Sequence, residues 1–100
     1  VGPGRLWTRV AFLGEKMKSY ITAAATTQVH TGSVRRVLIQ VNAALTGSIT
    51  VIDGTSGSTA NVAVITNPTV GSQFEYFDFS NGVRIVTSAT CDITVNVDTK

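Results

Sequence analysis

From about Tyr20 to Lys100, short runs of Val, Ile and Thr are broken every eight to twelve residues by Gly, Asn, Asp, Ser or Pro. This spacing is that of short strands joined by turns, and it predicts an all-β protein, an antiparallel β-sandwich of jelly-roll or Ig-like type. About eight strands are expected, near residues 19–22, 27–31, 34–42, 48–53, 60–66, 73–79, 83–88 and 92–98. The last is the most regular, because Ile93, Val95 and Val97 alternate with Asp92, Thr94, Asn96 and Asp98 and so define a core face and a solvent face. In the third, Val37, Ile39 and Val41 form the inward set and Leu38 faces the other way. The sixth is expected to place Phe74 and Tyr76 on one face and Phe77 and Phe79 on the other, leaving one apolar face to be covered by something besides the sandwich core.

The breaks carry turn chemistry. Ser80-Asn81-Gly82 offers an Asn-Gly pair that tolerates positive φ, which predicts a type I′ hairpin from Phe74 to Thr87. Asp53-Gly54 predicts a second turn, and Asn67-Pro68 marks a loop, since Pro cannot donate into a central ladder. Thr55 to Ser58 is a small polar tip.

Composition strengthens the strand reading: Val, Ile and Thr make up 36 of the 100 residues, and their branched side chains suit a pleated surface better than a helix. The length is that of one small domain. Only 14% of residues are charged, against roughly 25% in an average soluble domain, so much of the surface is expected to be Thr, Ser, Asn and Gly, a cover common to proteins that sit against other proteins and to secreted β-domains. The single Cys91 cannot form an internal disulfide, and no Cys/His cluster has metal-ligand spacing. No apolar run is long enough for a membrane helix, and no signal-peptide pattern opens the chain.

Charge divides the chain in two. Residues 1–18 hold Arg5, Arg9, Lys16 and Lys18 against Glu15, a net of +3, and residues 19–100 carry a net of −1. The expected organisation is a basic, extended N-terminal arm over 1–18 joined to a β-sandwich domain over 19–100. Four positive charges spread over eighteen residues are too sparse for sustained phosphate contact, so nucleic acid is not an expected partner. The arm also holds Leu6, Trp7 and Phe12, and a large apolar ring on an extended arm is costly to leave in water. Arg5, Leu6, Trp7, Arg9 and Phe12, with Phe77 and Phe79 of the sixth strand, are therefore the expected partner-binding residues. An extra strand folded back on the protein's own sandwich is the alternative for the arm. Gly14-Glu15-Lys16-Met17 is also what a purine-rich ribosome-binding site and a start codon would encode, making Met17 a candidate start site.

Catalytic chemistry is sparse. No Gly-x-Ser-x-Gly elbow is present, and the lone His30 lies in a Thr-rich strand without an evident acid partner. Glu75 and Asp78, three apart in a strand, point to opposite faces and make a poor acid/base pair. Asp53, Asp92 and Asp98 read as solvated carboxylates at turns and strand ends, and Cys91 reads as a small, partly buried apolar residue. No catalytic residue, cofactor or metal site is expected, and the chain does not read as an enzyme.

Several of these segments together carry a resemblance: Tyr20-Ile-Thr-Ala-Ala-Ala-Thr-Thr-Gln-Val-His-Thr-Gly, Ser48-Ile-Thr-Val-Ile-Asp-Gly-Thr-Ser, Phe74-Glu-Tyr-Phe-Asp-Phe-Ser-Asn-Gly-Val and Asp92-Ile-Thr-Val-Asn-Val. Over residues 18–98 the chain resembles a group of small β-sandwich virion proteins of tailed bacteriophages. The resemblance implies a structural protein on the capsid surface, a decoration or cement protein with the major capsid protein as partner. Head-fibre, tail and receptor- or carbohydrate-binding modules are the alternatives, and for glycan binding Tyr20 and Tyr76 would supply the aromatic platform. A homo-oligomer is expected, a trimer first because icosahedral shells offer threefold positions.

Overall fold

Alternation of branched apolar and polar side chains produces eight strands in the computed structural model, which describes residues 15–100: β1 (Lys16–Ile21), β2 (Ala25–Thr31), β3 (Val34–Ala43), β4 (Ser48–Asp53), β5 (Asn61–Thr66), β6 (Gln73–Phe79), β7 (Gly82–Thr87) and β8 (Asp92–Thr99). They form two four-stranded antiparallel sheets, β1-β8-β3-β6 and β2-β7-β4-β5. Eight strands wound in this order, with successive strands passing between two facing sheets, make a jelly roll, which decides between the two sandwich types expected.

The core lies between the sheets. Val34, Val37, Ile39 and Val41 of β3, Ile93, Val95 and Val97 of β8, Ile49 and Val51 of β4, and Val83 and Ile85 of β7 are all buried. Buried Thr87 accepts from the N–H of Ala25 at 3.1 Å and donates to the carbonyl of Ala23 at 2.7 Å, tying the start of β2 to β7. Every such hydroxyl needs a partner once it leaves water.

Three expectations are corrected. The first strand begins at Lys16, so the last residues assigned to the arm pair instead with β8, Lys16 opposite Asp98 and Lys18 opposite Asn96. Pairing therefore starts upstream of Met17.

The second correction concerns residues 74–87, which are not a hairpin: β6 pairs with β3, while β7 pairs with β2 and β4. Ser80 and Asn81 carry the chain across from one sheet to the other. Asn81 does not take positive φ, which falls instead on Asp78 (φ 60°) and Gly82 (φ 152°). The corner is held from outside, since Asp53 accepts from the N–H of Ser80 and of Asn81, the latter at 2.9 Å.

The third concerns Phe79, which is not on an outer face with Phe77; it is only 1% exposed and sits in the core. β3 bulges between Val34 and Arg36 in its pairing with β8, and across from that bulge Asp78 of β6 turns left-handed. An extra residue resets the two-residue alternation, so Val34 and Phe79 both turn inward. Phe77 alone stays outside.

Candidate functional site

The outer face of the β1-β8-β3-β6 sheet is polar and fixed. In register across it lie Lys16, Asp98, Arg36 and Phe77, then Lys18, Asn96, Leu38 and Glu75, then Tyr20, Thr94, Gln40 and Gln73. Arg36 of β3 pairs with Glu75 of β6 on one side and with Asp98 of β8, at 3.1 Å, on the other. Hydrogen bonds to these two carboxylates raise the pKa of its guanidinium. Asn96 donates to the Leu38 carbonyl at 3.3 Å and to the Gln40 side chain at 3.0 Å. The curved strands enclose an open depression of about 460 Å³ between Lys16, Lys18, Arg36 and Asn96.

The opposite sheet presents another chemistry. Its register places Thr26, Val86, Thr50 and Val64 in one outward row. β5 is one of its two edge strands, and Val62 and Val64 on it are 44% and 57% exposed. Strand patterning alone does not single out these valines. The signal that points to them is the run from Gly54 to Phe74, 21 residues without a charge.

Of the expected partner-binding residues, Arg5, Leu6, Trp7, Arg9 and Phe12 lie outside the described residues. Phe77 is 60% exposed beside the Arg36 network, and Phe79 is withdrawn into the core. Tyr20 is 70% exposed on β1. Tyr76 faces inward against the core, where burial raises its pKa, so the two tyrosines share no platform.

His30 is half-buried on β2, an edge strand, and Glu75 is taken up by Arg36. Buried Cys91 points its thiol at the carbonyl of Ile21, 3.5 Å away, and burial raises its pKa. Among the described residues no three His, Cys, Asp or Glu side chains gather as metal ligands would.

Asp53 has the clearest electrostatic role. Burial pushes its pKa up, but the N–H groups of Ser80, Asn81 and Gly82 outweigh this and hold it below the ordinary carboxylate value. A carboxyl depressed in the folded state stabilises above its unfolded pKa, and that contribution is lost as pH falls through the folded value. Wild type is therefore expected to lose its advantage over Asp53→Asn between about pH 5 and pH 2. Urea midpoints of both proteins across that range check this; a constant difference would contradict it.

No protein-family model matches the chain, and no curated protein matches it. Solved structures do. The chain is similar to a protein of the disulfide-linked pili of Bacillus endospore appendages, at 19% identity over 86% of this chain and 87% of that one, with a TM-score of 0.50. It is also similar to the 3'-monoepimerase ChmJ of Streptomyces bikiniensis, at 13% identity over 93% of this chain and 51% of that one, TM-score 0.52. The dTDP-6-deoxy-D-glucose-3,5-epimerase RmlC of Legionella pneumophila matches at 11% identity over 97% of this chain and 55% of that one, TM-score 0.50. At these identities the likeness is one of fold. The chain spans about half the length of the epimerases it matches.

Proposed function

We propose that this protein is a non-catalytic structural component of a phage virion, a decoration protein that binds the outer surface of the head and stabilises contacts between capsomers. The observation that supports this most is the contrast between its surfaces: the carboxylates Asp53, Glu75 and Asp98 are engaged in caps and ion pairs, while a 21-residue uncharged run leads into an exposed apolar edge. Exposed apolar side chains on an uncharged edge strand suit contact with other proteins. The resemblance of residues 18–98 to small phage β-sandwich proteins supplies the virion context, and the jelly roll is compatible with it. In this reading the basic residues of the arm, Arg5 and Arg9, with Leu6, Trp7 and Phe12, reach the major capsid protein. The fold is shared with sugar epimerases, but a fold hosts many activities and the site decides.

Co-sedimentation with phage heads lacking the protein tests the proposal. The full chain is expected to bind saturably, and a chain beginning at Glu15, which keeps all eight described strands, to bind more weakly. Absence of binding by both would direct attention to head-fibre, tail or glycan-binding roles.

A second reading, a subunit of a surface filament, draws on the two-way coverage of the Bacillus endospore appendage protein. That protein belongs to disulfide-linked pili, whereas Cys91 here is buried and poorly placed to link subunits. Electron microscopy of the concentrated protein separates the two, since filaments favour the second.

A further inference from the structure

A two-sheet sandwich has four edge strands, which among the described residues are β1, β6, β2 and β5. An edge exposes unpaired N–H and C=O groups that template pairing with another strand, and natural sheets defend it with charge, Pro or bulges. β1 carries Lys16 and Lys18, β6 carries Glu75 and Asp78, and β2 carries His30 with a bulge between Gln28 and His30. β5 carries no titratable side chain and lies within the uncharged run 54–74. Its one irregularity against β4 falls at Val62, between Asn61 and Ala63, which leaves Ala63 to Thr66 in regular pairing geometry.

We propose that β5 pairs antiparallel with β5 of a second copy about a two-fold axis near Val64, joining two four-stranded sheets into one of eight strands. A two-fold contact sets residue i of one copy against residue j of the other and j against i, so an edge whose charges share one sign would face like charges. Among these four edges, β5 is the one with no titratable side chain, so self-pairing there sets no ionisable group against another. A charged partner would lose hydration against Val62 and Val64 with no counter-charge on β5 to compensate. With Val64 on the axis, the two Val64 side chains meet on the outer face and cover one another, and the edge carbonyls and amides of both copies are satisfied. The contact is a dimer, in place of the trimer expected from shell symmetry. It deepens the assembly reading by naming a second copy as partner, but it is tested in free solution, so it stands or falls apart from head binding.

Light scattering across a micromolar to millimolar series should show the mass rise from one chain to two. Val64→Lys and Val64→Glu should each weaken dimerisation by about tenfold or more, because like charges then oppose each other at the axis. An equimolar mixture of the two variants should restore the dimer. A wild type that stays monomeric, a trimeric mass, or variants that dimerise unchanged would overturn the proposal. Amide exchange on wild type gives an independent reading should a variant fold poorly: protection within Ala63 to Thr66 should rise with concentration, and concentration-independent protection would overturn it too.

Discussion

Phe79→Ala is expected to destabilise the protein by about 3–5 kcal/mol, the usual cost of emptying a phenylalanine site in a packed core. Phe77→Ala, two residues away, should stay within about 0.5 kcal/mol of wild type, as exposed substitutions do. The difference follows from the paired irregularities at Arg35 and Asp78, which turn Phe79 inward and leave Phe77 outside. For a domain of this size 1 kcal/mol moves the melting temperature by about 4–8 °C, so Phe79→Ala should melt at least about 12 °C lower. Small domains have thin margins, and this loss is a large part of the whole. Thermal melts of the two variants side by side check the point. Similar shifts in both would mean that the alternation is not reset at Asp78 and that Phe77 and Phe79 share a face.

Gly82→Ala should cost about 2–4 kcal/mol, combining a strained backbone with an overpacked site. Gly82 has φ 152°, and a Cβ there would lie 2.8 Å from the carbonyl oxygen of His30 and 2.9 Å from that of Gly54. Both neighbours are backbone, and both are held by the Gln28 side chain, which donates to each at 2.9 Å. Neither can give way without loosening the corner where β6 hands the chain to β7. Gly57 is the control: its φ is 87°, but a Cβ would meet nothing within 4 Å, so Gly57→Ala should cost only about 1 kcal/mol. Urea midpoints of the two variants measure the contrast, and equal losses would contradict the close approach at Gly82.

Strand positions and inward sets were legible in the sequence because they are local: a Val, Ile and Thr alternation fixes which side chains face the core wherever one face is buried. The hairpin expected at Ser80-Asn81-Gly82 shows where local reading stops. A two-residue break looks the same whether the next strand joins its predecessor or crosses to another sheet, and here the crossing is capped by Asp53, nearly thirty residues earlier in the chain. Phe79 was misplaced for a related reason, since a bulge leaves no reliable mark on composition. Arg36, Glu75 and Asp98 come from three strands far apart in sequence, so their network needed the strand order that patterning cannot supply. The β5 edge differs, because the uncharged run from Gly54 to Phe74 stands openly in the sequence. Its meaning required knowing that β5 lies at the edge of its sheet.

In the reading proposed above, the protein would stabilise through linkage, binding the assembled shell and not the separated subunits, so that the shell gains RT ln(1 + [L]/Kd) of stability per site. The most direct test is the temperature at which DNA escapes from heads lacking the protein, measured as purified protein is added. A saturable rise in that temperature with the full chain, reduced for the chain beginning at Glu15, is the expected result. An unchanged release temperature at saturating protein would contradict a stabilising role on the head.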